Sequence, residues 1–97
     1  MKVKKVKIPR VIDLGCNNKA KALVDAKGNA LLLSYDSPIA YAVWEGGTRR
    51  TLYRLAPCLC SSTTSTHWTA FVQWEGHPEL VGNKAYSLLP LAVVQPV

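Results

Sequence analysis

Cysteine and histidine side chains provide the first chemistry that this sequence could support. Cys58 and Cys60 are separated by one residue, and Cys16, His67 and His77 could add further zinc ligands. Zinc sites usually leave about two to four residues between paired cysteines, and no second pair follows here. A Cys-x-Cys pair on a strand directs both thiols to one face, but small buried side chains explain the pair more simply. We therefore expect no metal and no cofactor.

Nucleophilic catalysis is the second chemistry to weigh. His67 could activate Cys60 or a nearby serine, but such a unit needs a third group that orients the base. The six acidic residues are scattered over turns and offer no paired carboxylates. A histidine just after a Ser/Thr-rich run is more typical of a structural partner for neighbouring hydroxyl groups. Gly46-Gly47 lacks the lysine and the spacing of a phosphate-binding loop. The sequence therefore predicts that the protein is not an enzyme.

Basic residues are distributed unevenly along the chain. The chain has twelve Lys and Arg residues and six Asp and Glu residues, and the whole net charge of +6 falls within residues 1–27. A basic segment of this kind fits a phosphate backbone or an acidic protein surface, and it can also simply keep a chain soluble. We expect an electrostatic contact with a partner. The residues predicted to make it are Lys2, Lys4, Lys5, Lys7, Arg10, Trp44, Arg49, Arg50 and Arg54.

Those charges are expected to be exposed, on two separate basic surfaces. Exposed ion pairs contribute only about 0–1 kcal/mol to stability. Reversing the charge of Arg50 and Arg54 is therefore expected to leave the fold intact.

Composition also predicts the compartment. Three cysteines cannot all pair within one chain, so we expect reduced thiols and a location in the host cell cytoplasm. No run approaches the roughly 20 apolar residues of a membrane helix. Leu14-Gly15-Cys16 resembles the end of a lipoprotein signal, but Pro9 and its charged neighbours interrupt the apolar stretch that a signal requires. No membrane segment is predicted.

The elements that would position these groups begin with strands. Residues 19–55 predict an antiparallel meander with turns at 26–28 and 46–47, because alternating segments flank glycine-containing turn sequences. The nearly continuous apolar run 30–35 predicts a central strand. Asp36-Ser37-Pro38 is expected to turn the chain. A two-residue turn at Gly46-Gly47 would place Trp44 opposite Arg49 and would put Arg50 and Arg54 on one face.

A helix is predicted after the strands. The Ser/Thr run 61–66 precedes apolar residues at helical spacing, which predicts a helix over 64–74 capped by Thr63, Thr64 or Ser65. Its apolar stripe, Trp68, Phe71 and Val72, is expected to pack on the sheet.

Together these elements predict one α+β domain over residues 1–97, a small antiparallel β-meander of about four strands with one helix packed on one face. Residues 1–18 would be a basic N-terminal arm or an edge strand. Residues 79–97 would form a strand or a short helix, and the pattern does not distinguish the two.

Two stretches, Ser34-Tyr35-Asp36-Ser37-Pro38-Ile39-Ala40 and the segment 61–71, resemble a family of short uncharacterised proteins from phages, prophages and archaea. In that family a strand, a turn with proline and a second strand precede a Thr-Thr-x-x-His helix start that ends in an aromatic residue. The resemblance covers about residues 20–74. The residues that carry it are Tyr35, Pro38, Thr63, Thr64, His67 and Phe71.

The resemblance implies a small protein from mobile DNA, of a kind that often binds and blocks or redirects a host machine. We therefore expect a non-enzymatic phage-type accessory protein whose partner is a host protein or ribonucleoprotein complex. Inhibition of a CRISPR or other defence system is the specific form of this expectation. The alternative is a nucleic-acid-binding protein that uses the basic N-terminal segment. Its oligomeric state is not predicted.

Overall fold

Five antiparallel strands and two helices make up the fold, which a computed structural model describes over residues 10–15, 19–59 and 61–92. The strands pair in chain order, β1-β2-β3-β4-β5. Their bounds are β1 Arg10–Asp13, β2 Ala20–Val24, β3 Ala30–Ser34, β4 Ser37–Glu45 and β5 Arg49–Arg54; the helices are α1 Ser62–Trp74 and α2 Asn83–Ser87, with a 3-10 turn at Pro78–Leu80 between them. The α+β class and the meander are confirmed. The sheet has five strands rather than about four, because a strand from the 1–18 segment adds to its edge.

The β2–β3 hairpin forms where the glycine-containing turn was predicted. Asp25 accepts hydrogen bonds from the backbone N–H of Lys27 and Asn29, at 2.9 and 3.0 Å, and so organises the loop locally. Gly28 has φ +84°, a left-handed conformation that glycine adopts without strain. The following strand, β3, lies at the centre of the sheet, as predicted.

Alternation along β2 and β3 sets the two faces of the sheet. Ala30, Leu32 and Ser34 are buried, whereas Leu31 and Leu33 on the other face are half-buried. The β3–β4 turn consists of Tyr35 and Asp36. Ser37 and Pro38, which were predicted to belong to the turn, are the first two residues of β4. A shift in register between Leu32 and Leu33 accommodates the start of β4, where proline cannot donate a backbone hydrogen bond.

The β4–β5 register differs from the prediction by one residue. Thr48 joins Gly46 and Gly47 in the loop, and its N–H donates to the carbonyl of Glu45 at 3.3 Å. The extra loop residue places Trp44 opposite Arg50, not opposite Arg49. The prediction of a two-residue turn was therefore wrong, although the conclusion that Arg50 and Arg54 share one face follows from either register.

Helix α1 starts two residues earlier than predicted. Ser61 is its cap, in an extended conformation, and its side chain accepts a hydrogen bond from the N–H of Thr64. The predicted caps lie inside the first turn instead. The helix ends at Trp74, as predicted, and Trp68, Phe71 and Val72 are fully buried against the sheet.

The described part of the C-terminal segment, residues 79–92, contains a short helix rather than a strand. Tyr86 of α2 is fully buried, and its ring meets Trp68 edge-on at 5.1 Å. Leu91 then forms a parallel bridge with Arg54, the last residue of β5. The outer side of β1 pairs with none of the described strands.

Candidate functional site

Arg50, one of the predicted partner-binding residues, is committed to contacts within the chain. Its guanidinium donates to both carboxylate oxygens of Glu75, at 2.9 and 2.7 Å, and to the carbonyl of Gly28 at 2.7 Å. The side chains of Arg50 and Glu75 are only 15% and 5% exposed. The guanidinium also lies 5.0 Å from the Trp44 ring centre, in cation–π geometry. The expectation that Arg50 is exposed was wrong, because the residue ties β5 to the end of α1.

Arg54 is also held by its own chain. Its side chain donates to the carbonyls of Leu89 at 2.8 Å, Pro57 at 3.2 Å and Ala56 at 3.4 Å. These three residues lie outside the strands. The guanidinium therefore supplies hydrogen-bond donors to backbone carbonyls near the end of β5. Arg54 is half-buried, and its predicted exposure was also wrong.

The other predicted contact residues are placed differently. Arg49 and Arg10 are exposed, and Trp44 is 45% exposed. Arg10 is the first residue of β1, the edge strand, whereas Arg49 and Trp44 lie near the β4–β5 loop on the opposite side of the sheet. Arg10 and Arg49 therefore lie far apart on the sheet. Lys2, Lys4, Lys5 and Lys7 lie outside the described residues.

A cavity of about 410 Å³ lies where the two resembling segments meet. It is formed by the β3–β4 turn, the segment after β5 and the start of α1. The lining residues are Ser34, Tyr35, Ser37, Pro38, Ile39, Ala56, Cys58, Ser61 and Thr64. Tyr35, Pro38 and Thr64 of the family motif are thus brought together here, while Thr63 is exposed on the first helical turn and Phe71 lies in the core.

The buried side chain of His67, in α1, lies beside this region. Its Nδ1 lies 2.7 Å from the hydroxyl of Ser34, and both residues are buried. The Tyr35 ring lies 5.7 Å from the imidazole, and Tyr35 has φ +57°, a left-handed conformation unusual for a tyrosine. Burial lowers the pKa of His67 below its usual value of 6.5, so the ring is neutral at neutral pH. Ser34, Tyr35 and His67 therefore form a connected cluster between β3 and α1.

The partner of His67 was missed by sequence reasoning, which considered only hydroxyl groups near it in the chain. Ser34 precedes it by 33 residues. The alternation of β3 contained the available signal, because it places Ser34 on the same face as Ala30 and Leu32. The alternation does not reveal which residue of α1 lies against Ser34.

Ser34 and His67 form a pair of the kind that catalytic units contain. A Ser–His unit requires a group that orients the base, and no carboxylate among the described residues hydrogen bonds to His67. Within the same ranges, no group of three or more His, Cys, Asp or Glu side chains could hold a metal ion. Cys58 lines the cavity, whereas Cys16 and Cys60 lie outside the described residues. The absence of metal, cofactor and catalysis stays a prediction.

None of the helices in residues 10–15, 19–59 and 61–92 has both the length and the apolar character needed to span a bilayer. Comparison of the chain with protein-family models, curated proteins and solved structures finds no match.

Proposed function

We propose that this chain is a non-enzymatic accessory protein of the phage or prophage type that binds a host macromolecular complex and modulates it. The contact is electrostatic and centres on the edge of the sheet at β1. One observation supports this location above others. The outer side of β1 pairs with none of the described strands, and the chain enters this strand at Arg10, directly after the lysine-rich segment.

The sequence that adjoins this edge is strongly basic. Lys2, Lys4, Lys5 and Lys7 supply four of the twelve basic residues in the nine positions before Arg10. Arg50 and Arg54 are engaged by Glu75 and by backbone carbonyls, so they contribute less to an intermolecular contact. An acidic surface would be attracted to the β1 edge, and basic side chains there would raise its association rate.

The specific form of the proposal is inhibition of a CRISPR or other defence complex, in the host cell cytoplasm. It draws on the resemblance to small phage and archaeal proteins. Four of the six resembling residues support it indirectly, because Tyr35, Pro38 and Thr64 line one cavity and the His67 ring lies 5.7 Å from that of Tyr35.

Affinity capture from host lysate, with and without nuclease, tests the binding proposal. We expect a defined protein or ribonucleoprotein to be retained, and a variant with Lys4, Lys5 and Lys7 replaced by Glu to lose most of it at moderate salt. The matched control replaces the exposed residues Lys19, Lys27 and Lys84 by Glu, which gives the same net charge elsewhere on the fold. Equal losses of captured partner in the two variants would contradict a specific role for the β1 edge.

The nuclease arm separates the nucleic-acid alternative from the proposal. A protein partner survives digestion, whereas material held through a nucleic-acid bridge is released. Release of everything captured would favour the alternative. For the defence-specific form, the measurement is plaque formation by a targeted phage on cells with active CRISPR interference, where expression of the chain is expected to restore plaques.

A further inference from the structure

Hydrogen bonding between β1 and β2 determines which backbone groups of β1 point away from the sheet. The N–H of Leu14 donates to the carbonyl of Ala20 at 3.0 Å, so these two residues form a hydrogen-bonded pair of the antiparallel ladder. Hydrogen-bonded pairs alternate with non-hydrogen-bonded pairs along such a ladder. Counting back in register from Leu14, Ile12 bonds to β2, whereas Val11 and Asp13 direct their N–H and C=O groups outward.

The outward groups of Val11 and Asp13 are available for pairing. The turn and loop hydrogen bonds of the described residues include none from these four groups. The Val11 side chain is 58% exposed on the open sheet face, which is the face opposite α1. It lies there in one register row with Leu23, Leu31 and Tyr41. The edge of β1 therefore presents two N–H donors and two C=O acceptors at strand spacing.

The other edge strand, β5, is partly occupied by the chain itself. Arg54 donates its N–H to the carbonyl of Pro90 at 2.9 Å, and its own carbonyl accepts the N–H of Ala92 at 2.9 Å. Within the described part of the chain, β1 makes no corresponding contact along its outer side. Of the two edges, β1 is thus the one that is free along its whole length.

The backbone groups of β1 favour an extended polypeptide as the partner. Another strand supplies both donors and acceptors at the spacing that this edge requires, which is how peptides add to exposed sheet edges. Phosphate groups supply acceptors only, so a phosphate backbone would leave the carbonyls of Val11 and Asp13 without donors. A partner protein therefore matches this edge better than a nucleic-acid backbone does.

Charge indicates what kind of polypeptide fits. Arg10 is exposed at the start of β1, directly after the lysine-rich segment 1–9, so an acidic strand is attracted to this edge. A second copy of this chain would instead bring the same positive charge. Asp13 is exposed at the other end of β1 and disfavours acids there. The acidic residues of the partner therefore belong beside Arg10.

We infer that an acidic extended segment of the partner protein adds to β1 as a sixth strand, antiparallel to it. Antiparallel pairing continues the pattern of the other strands, and it is slightly more stable per residue than parallel pairing. In this orientation the C-terminal end of the added segment lies beside Arg10, so its acidic residues occupy that end. This inference rests on the proposed function and specifies how the partner is held.

Hydrogen exchange of the isotope-labelled full chain, measured by NMR with a synthetic peptide, provides the first test. The probe peptide alternates valine and threonine and ends in a run of glutamates; a second peptide of the same composition begins with the glutamates. We expect the first peptide to slow exchange at the amides of Val11 and Asp13 and to leave that of Gly47, in the exposed β4–β5 loop, unchanged. Unchanged exchange at Val11 and Asp13, or stronger protection by the second peptide, would overturn the inference.

Removal of one outward donor provides the second test. Val11→Pro deletes an N–H that faces away from β2, so the sheet is retained and the melting temperature should stay close to that of the parent. Val11→Thr is the matched control, because it changes the side chain and keeps the N–H. We expect Val11→Pro to bind the probe peptide and the captured host partner about tenfold more weakly, and Val11→Thr to bind like the parent.

Comparison with the charge-reversed variant distinguishes failure of this inference from failure of the proposed function. If replacement of Lys4, Lys5 and Lys7 by Glu abolishes capture while Val11→Pro captures the partner like the parent, the contact is electrostatic without an added strand. The proposed function then stands and this inference is wrong. If both variants capture the partner like the parent, the β1 edge is not the contact, and the proposed location is wrong as well.

Discussion

The guanidinium of Arg50 holds the carboxylate of Glu75 in a two-point contact, with N–O distances of 2.9 and 2.7 Å across 25 residues of sequence. Trp44 lies over the guanidinium from the neighbouring strand, and the Gly28 carbonyl accepts a further hydrogen bond. One side chain thereby connects β5, β4, the β2–β3 loop and the end of α1. The position of Arg50 is therefore explained by its ion pair with Glu75 within the chain, rather than by contact with a partner.

Replacing Arg50 by Met should destabilise the protein by about 3 kcal/mol, because Glu75 would remain as a mostly buried, unpaired charge. Thermal melting should show the loss. Arg49→Met is the control: Arg49 is the next residue, is exposed, and should change stability by less than about 0.5 kcal/mol. Combining Arg50→Met with Glu75→Leu should cost less than the two single losses added together, because no charge is then left unpaired. Equal losses for Arg49→Met and Arg50→Met would contradict this assignment.

Stability should fall as the pH drops below about 6.5. Burial lowers the pKa of His67 in the folded state, so between the unfolded value of 6.5 and the folded value the unfolded chain binds more protons. The His67 contribution is complete above this window and is lost as the pH falls through it. Denaturant titrations from about pH 7.5 to about pH 5 measure the slope. His67→Asn, whose amide can still bond Ser34, should remove this part of the pH dependence, and an unchanged slope would show that another group causes it.

Tyr86→Phe should lower stability by about 1–2 kcal/mol. The Tyr86 hydroxyl lies 2.8 Å from the carbonyl of Ile39 and accepts from the N–H of Ala56 at 3.2 Å, and phenylalanine leaves that N–H without its partner. Tyr41→Phe, on the open sheet face, is the control and should change the free energy of unfolding by less than about 0.5 kcal/mol. A Tyr86→Phe protein as stable as this control would show that its hydroxyl adds nothing.

Gly28→Ala should cost more stability than Gly47→Ala. Both glycines have positive φ, +84° and +74°, so an alanine is strained at either position. A Cβ at Gly28 would also lie 3.2 Å from Nε1 of Trp44, whereas one at Gly47 would meet nothing within 4 Å. Backbone strain accounts for about 1 kcal/mol at each site, and the difference between the two variants measures how tightly Trp44 is held. Equal losses in denaturant unfolding would mean that the indole moves aside freely.

Local sequence patterns were sufficient to predict most of the secondary structure. Alternation and turn residues predicted the strands between 19 and 55, because a strand has a period of two and glycine tolerates positive φ. The Ser/Thr run and the apolar spacing of Trp68, Phe71 and Val72 predicted α1 and its buried face. The errors at this level, Thr48 in the loop and Ser61 as the cap, are shifts of one or two residues.

Tertiary structure alone decided where the charged and polar side chains found partners. Arg50 meets Glu75, and Ser34 meets His67, only because α1 crosses the sheet at one angle and one offset. That crossing depends on how the whole apolar face of the helix packs on the sheet, and short-range conformational preferences carry no information about it. The strand pattern did place Arg50 and Arg54 on one face, but the same pattern fits an open face as well as a covered one. Packing of the buried face of α1, which includes Phe71, against the face of the sheet that carries Leu32 determined which face was covered. It thereby turned two arginines predicted to contact a partner into internal contacts.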